Sequence, residues 1–149
     1  MINFSKIQNQ TSDLAKIKKA LLDGKLEGGG NFSQKAREKL NKLGYRNNLL
    51  TTSCTSALEM SAILLDLKEG DEIIMPSYTF VSTANAFLLK GCIPVFVDVH
   101  KDDLNINAAK IEEAISPKTK AIVVVHYGGV SCDMKKILKI AKKNKLYLV

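Results

Sequence analysis

The sequence predicts an α/β fold, a parallel-rich sheet with flanking helices, and three observations carry that prediction. From residue 48 onward short apolar runs alternate with helical segments. The runs IIM, VFV and AIVVV are apolar without alternation, as strands covered on both faces must be. Strands that alternate with helices specify right-handed βαβ crossovers, and hence parallel neighbours.

Before residue 48 the pattern is helical, which divides the chain into an N-terminal helical segment, 1–47, and the first part of an α/β domain, 48–149. Thr11 or Ser12 can cap a helix with Leu14, Ile17 and Leu21 at helical spacing, and Gly24 stops it. Residues 25–31 include three successive glycines; with no strand before them, a flexible connector is preferred to a phosphate cradle. Ser33 caps a second helix with Ala36, Leu40 and Leu43 inward and Gly44 at its end. Strands are expected at 49–52, 72–75, 94–97, 121–125 and 146–149, and helices at 55–67, 79–90, 107–115 and 133–143. The last residues, LYLV, read as a strand with no helix after it, so the chain is expected to be the N-terminal portion of a longer protein.

A chain of 149 residues is large enough to bury a core, and its apolar fraction of 46% and charged fraction of 25% are those of a globular protein. No apolar run approaches the roughly 20 residues of a membrane helix, and MINFSKIQNQ lacks the charged and apolar regions of a secretory signal. Cys54, Cys92 and Cys132 are three cysteines at wide spacing, which points to reduced thiols in the cytoplasm. With only His100 and His126, zinc-like spacing is absent and no metal is expected. The net charge of +7 raises the reading of a basic nucleic-acid module. Lys135, Lys136, Lys139, Lys142, Lys143 and Lys145, however, lie beside the apolar stripe Ile137, Leu138, Ile140 and Ala141, as on the solvated face of an amphipathic helix. There is no aromatic interleaving, so neither nucleic acid nor membrane is expected as a partner.

Four loops follow strands and bear polar or aromatic groups; in a parallel sheet these strand ends are where ligands are held. Ser53, Cys54, Thr55 and Ser56 precede a helix, whose unpaired first-turn N–H groups and positive dipole end suit a phosphate. A plain Ser/Thr N-cap is the other reading. After the second strand, Pro76, Ser77, Tyr78, Thr79 and Phe80 combine a rigid turn with two aromatic rings able to stack on a planar cofactor or base, though Phe80 also suits a core. Asp98 follows PVFV and suits a hydrogen-bonding or structural role there. His126, Tyr127, Gly128 and Gly129 follow AIVVV, and a single His there fits a hydrogen-bonded loop as well as a catalyst.

The segments SCTSALEM from Ser53, GDEIIMPSYTFVSTANAF from Gly70, PVFVDV from Pro94 and KTKAIVVVHYGGV from Lys118 resemble the sugar-nucleotide aminotransferases of the DegT/DnrJ type, pyridoxal-phosphate enzymes of fold type I. Within that family they are closest to the TDP-4-keto-6-deoxyglucose transaminases. The resemblance covers nearly all of the chain but a little under half of a typical member. It implies that Thr55 and Ser56 bind the cofactor phosphate and that Phe80 stacks on the pyridine ring. Ser53, Tyr78, His126 and Tyr127 are then expected to face the cofactor or sugar. It further implies glutamate as amino donor, a nucleotide-linked 4-keto-6-deoxy sugar as acceptor, a role in cell-surface polysaccharide or antigen synthesis, and a homodimer with its active sites at the subunit interface. The family's Asp beside the pyridine nitrogen and its Schiff-base Lys are expected beyond residue 149, and no lysine here matches that position. Asn107 stands where relatives commonly have Asp, a helix-capping exchange. A non-enzymatic nucleotide- or phosphate-binding domain using only the turn from Ser53 to Ser56 is the alternative function.

Overall fold

The computed structural model describes residues 10–24 and 28–149. The readings of residues 1–9 and of 25–27 in the glycine connector lie outside the described residues. The chain divides into two compact units, Met1–Leu50 and Thr51–Val149.

The first unit holds α1 (Thr11–Leu22) and α2 (Asn31–Lys42). Both caps fall earlier than expected. Gln10 caps α1 because the Asp13 carboxylate reaches back to accept the Gln10 N–H at 2.9 Å, leaving Thr11 and Ser12 inside the first turn. Gly30 precedes α2 in extended geometry, and Ser33 lies within its first turn. Leu43 is exposed rather than inward, since it is the C-cap residue at the point where α2 ends. Asn48 secures the turn after α2, its Nδ2 donating to Asn41 Oδ1 at 2.8 Å and to the Tyr45 carbonyl at 2.9 Å. A groove of about 610 Å³ has an apolar floor of Ala15, Phe32 and Ala36 and a rim of Lys16, Lys19, Lys35 and Lys39.

The second unit runs α3 (Cys54–Leu64), β1 (Glu72–Pro76), α4 (Val81–Leu88), β2 (Ile93–Val97), α5 (Ala108–Ile111), β3 (Thr119–Ile122), α6 (Met134–Asn144) and β4 (Tyr147–Leu148). The strands stand in the order β2-β1-β3-β4, and every neighbouring pair is parallel. Ile74 lies opposite Val95 on β2 and Ile122 on β3. The Val123 N–H continues the ladder to the Ile74 carbonyl at 2.8 Å, and the Val124 N–H reaches that of Val149 at 2.9 Å.

Residues 49–52 are not a strand. The two leucines are followed at once by hydroxyl residues, and the Thr51 side chain donates to the Ser53 carbonyl at 2.8 Å, a local bond that competes with a sheet ladder. The helix expected over 55–67 stops at Leu64, where the chain turns through Asp66 in the left-handed region. The one expected over 107–115 is a single turn of α5 running into a 3-10 turn, Glu112–Ala114.

Side chains alternate across the sheet and build two cores. Ile74 and Ile122 pack with Ile106, Ile111, Ile137 and Ile140 under α5 and α6, while Ile73, Met75, Ala121 and Val123 pack with Ala62, Ala86 and Phe87 under α3 and α4. Each such aliphatic side chain contributes roughly 1.5–3 kcal/mol by leaving water, which makes this two-faced burial the main determinant of the fold. On α6, Ile137, Ile140 and Ala141 are buried and Leu138 faces outward among the lysines. The α3 helix runs into the amino end of β1, and α4 leaves from its carboxyl end, with the two helices packed on one face. The amino ends of both helices therefore lie at the carboxyl edge of the sheet.

Candidate active site

That edge collects the expected site residues. At the start of α3, Ser53 is the N-cap, and its Oγ accepts the Ser56 N–H at 3.1 Å. The Ser56 hydroxyl lies 3.1 Å from Ser53 Oγ and 3.4 Å from Thr52 Oγ1. The Cys54 and Thr55 N–H groups and the Thr55 hydroxyl meet no acceptor among the described residues. The turn is thus an N-cap with one amide satisfied internally and two left unpaired, an arrangement chemically able to receive an anion.

The loop after β1 carries Tyr78 and ends at Phe80, the N-cap of α4. Phe80 is 75% exposed, which decides against core packing for its ring. A second contact joins this loop to the one after β3. The Tyr78 and Tyr127 hydroxyls are 3.3 Å apart, and their rings meet edge to face with centroids 5.1 Å apart. That hydrogen bond, with the neighbouring phenol's charge adding to it, holds Tyr127 above its ordinary pKa of 10.0.

His126 belongs to the same loop, where its Nδ1 accepts the Cys132 N–H at 3.2 Å. The ring is oriented by that bond and carries its proton on Nε2. Gly128 and Gly129 both take positive φ, 60° and 82°, which turns the chain back on itself between Tyr127 and Val130. Asp98 stands apart in a structural pair: Lys110 Nζ lies 2.5 Å from its carboxylate and holds the carboxyl below its usual range. Cys92 and Cys132 are buried, and burial pushes both thiols up; only Cys54 is exposed. Among the described residues no cluster of side chains could hold a metal ion, and no helix is long and apolar enough to cross a membrane.

One participant escaped the sequence reading. Asn105 is 2% exposed, its Oδ1 accepts the Tyr127 N–H at 3.0 Å, and its Nδ2 donates to the Val130 carbonyl at 3.2 Å. The stretch DDLNIN reads as a polar loop, and nothing in its spacing marks that asparagine.

The whole second unit, and most of the first, match a single family model, that of the DegT/DnrJ/EryC1/StrS aminotransferases, over residues 8–149. This chain belongs to that family. Among the DegT/DnrJ/EryC1/StrS relatives is the Bacillus subtilis spore coat polysaccharide biosynthesis protein SpsC, 36% identical over 92% of this chain and 35% of its own length. The aminotransferase TlmJ of Streptoalloteichus hindustanus superposes with a TM-score of 0.91 at 33% identity, covering 99% of this chain and 41% of TlmJ. NtdA of Bacillus subtilis, solved with bound cofactor PMP, superposes at 0.84 with 37% identity over 91% of this chain and 31% of NtdA. The chain thus spans between about a third and two fifths of these relatives. Its fold is that of the fold type I pyridoxal-phosphate aminotransferases, as these neighbours display it.

The residues present fit the cofactor of such enzymes. A phosphate needs several donors converging without a competing carboxylate, and the α3 turn offers two free amides and hydroxyls at Thr52, Thr55 and Ser56, with no acidic residue in the first turn. An aromatic pyridine ring needs an exposed flat partner, which Phe80 provides.

Proposed function

We propose that residues 48–149 form the first part of the large, cofactor-binding domain of a pyridoxal 5'-phosphate-dependent aminotransferase, one that moves an amino group from glutamate to a nucleotide-linked 4-keto-6-deoxy sugar. The acceptor proposed is TDP-4-keto-6-deoxyglucose, the product an amino sugar for a cell-surface polysaccharide or antigen, and the setting a cytoplasmic homodimer. The observation that carries the reading is the open amide turn at Cys54 and Thr55, placed on the same sheet edge as the exposed Phe80 ring.

In this reading the cofactor, when bound, supplies an electron sink that lets the amino group leave one substrate and join another. Thr55 and Ser56 hold its phosphate, through the Thr55 N–H and the two hydroxyls, with the α3 dipole aiding them. Phe80 lies against the ring and excludes water from one face. Tyr78 and Tyr127, held together by their hydroxyls, wall the position where the sugar enters, and Ser53 borders the phosphate. His126, with Nδ1 already accepting a backbone N–H, offers its Nε2–H as a donor toward the cofactor or sugar.

The test is made on the complete protein of this reading frame, with pyridoxal phosphate, glutamate and the keto sugar. Formation of the amino sugar with release of 2-oxoglutarate is the expected outcome. A visible cofactor band with no sugar amination would remove the substrate assignment, and no band at all would remove the cofactor assignment. The alternative, a phosphate-binding domain without catalysis, predicts that inorganic phosphate or a nucleotide binds through the α3 turn while no amine is transferred.

A further inference from the structure

Asn105 is buried in the loop that follows β2, and its own backbone is fixed before its side chain meets anything else. Val99 and Ile106 pair across that loop, the His100 N–H donates to the Asn105 carbonyl at 2.9 Å, and Asp103 Oδ1 accepts the Asn105 N–H at 2.9 Å. From this base the side-chain amide addresses a different loop, the one after β3. It satisfies one N–H, that of Tyr127, and one carbonyl, that of Val130. A carboxamide is the side chain that offers one acceptor and two donors from a single planar group. The two bonds straddle the positive-φ glycines, so they fix both ends of the tight turn. The Asn105 amide is itself buried, so leaving its oxygen and nitrogen unpaired is costly, and the two part-buried bonds favour this seat for the turn.

His126 lies immediately beside the bonded Tyr127 amide, and the Cys132 N–H holds its ring from the other end of the loop. The Tyr127 hydroxyl then meets that of Tyr78 on the loop after β1. One buried amide therefore determines where three side chains on two loops stand.

We propose that Asn105 is the positioning residue for His126 and Tyr127, and that it governs handling of the sugar substrate rather than seating of the cofactor phosphate. The substrate half of this inference rests on the proposed function; the placement half does not. Asn105 reaches no residue of the α3 turn, which carries the phosphate donors, so the two effects are separable.

The experiment compares three variants of the complete protein. Asn105→Leu keeps the branched shape at Cγ and loses both hydrogen bonds. Asn105→Asp keeps an oxygen for the Tyr127 N–H and loses the donor to Val130. Thr119→Val is the control: Thr119 is also buried and polar, but it accepts the Ser116 N–H at 2.9 Å beside the start of β1, at the opposite edge of the sheet. In Asn105→Leu, amide hydrogen exchange at Tyr127 is expected to rise by about tenfold or more, because a protected N–H becomes open. In a tyrosine titration the raised Tyr127 phenol is expected to move back down toward its ordinary value of 10.0. The kcat/KM for the keto sugar falls by roughly tenfold, as for a misplaced contacting group, while affinity for pyridoxamine phosphate changes by less than about twofold. Asn105→Asp retains protection at Tyr127 and shows an intermediate kcat/KM. Thr119→Val lowers the melting temperature and leaves the Tyr127 exchange and titration unchanged.

The proposal is overturned if Tyr127 exchange and titration are unchanged in Asn105→Leu, or if Thr119→Val alters them equally. If Asn105→Leu does not fold, Asn105→Asp decides, and loss of Tyr127 protection there together with weakened pyridoxamine phosphate binding overturns it. A complete protein that aminates no sugar defeats the proposed function, and the exchange and titration readouts still decide the role of Asn105.

Discussion

The α3 turn makes two neighbouring residues separable by experiment, because Ser53 is used by the fold and the Thr55 hydroxyl is not. Thr55→Val preserves shape and β-branching, and removes a hydroxyl that has no partner among the described residues. A hydrogen bond from a hydroxyl to a charged phosphate is worth roughly 1.5–3 kcal/mol, so its loss is expected to raise the dissociation constant about tenfold to a hundredfold. Ser53→Ala instead removes the cap that holds the Ser56 N–H at 3.1 Å, at a cost of about 1 kcal/mol in stability. The suitable ligand is pyridoxamine phosphate, titrated calorimetrically into the complete protein, since it forms no covalent link to lysine and reads non-covalent affinity alone. Thermal unfolding of the same samples supplies the stability arm. The expected outcome is a crossed pattern: Thr55→Val binds weakly and melts like the parent, while Ser53→Ala melts about 1–2 °C lower. A Thr55→Val protein that binds as the parent does would refute the phosphate assignment.

Other predictions concern the ring, the core and the phenol pair. Phe80→Ala, at an exposed ring, is expected to change stability by less than about 0.5 kcal/mol and to weaken pyridoxamine phosphate by about 0.5–1.5 kcal/mol, both measurable in the assays above. Phe87→Ala, at a side chain with no exposure, is expected to cost about 3–5 kcal/mol in denaturant unfolding by opening a cavity under α4. Because the folded pKa of Tyr127 is raised, its contribution to stability is full below the ordinary value of 10.0 and is lost as pH climbs through the higher folded value. Melting curves of the parent and of Tyr78→Phe should accordingly diverge least above that range; equal divergence at every pH would count against the phenol pair. Lowering the pH removes the Asp98–Lys110 attraction only below the ordinary carboxylate range, since Lys110 depresses the Asp98 carboxyl. An Asp98 carbon resonance that titrates at the ordinary value would contradict that pairing.

The elements that were legible in sequence are those whose own residues dictate them. IIM and AIV are buried on both sides, so their lack of alternation predicted covered strands, and β1 and β3 lie there in the middle of the sheet. VFV also forms a strand, β2, but it is not covered on both faces as expected: β2 is the edge strand, and Phe96 is exposed. The lysine-rich α6 was legible because its three buried positions recur at helical spacing. What the sequence misplaced depends on competition between local groups. Thr51 prefers the Ser53 carbonyl to a ladder, and Asp13 rather than a hydroxyl residue fixes the start of α1. Within the candidate site, the start of α3 at Ser53 was legible because a hydroxyl cluster before a helix has a local meaning. Asn105 was not, since its partners lie 22 and 25 residues away and only the βαβ topology brings them to it.

The contact between Tyr78 and Tyr127 joins positions 49 residues apart through a pair of groups that each need the other. Loops on α/β scaffolds are commonly exchanged one at a time to redirect specificity, on the assumption that each is a module. Here the loops after β1 and β3 share a hydroxyl pair, and the second is tied in turn to Asn105 on the loop after β2. A graft of any one of them from a relative would arrive with its tyrosine or amide facing a stranger. Successful chimeras of this scaffold should be those that carry the three loops across together, as one transplantable surface.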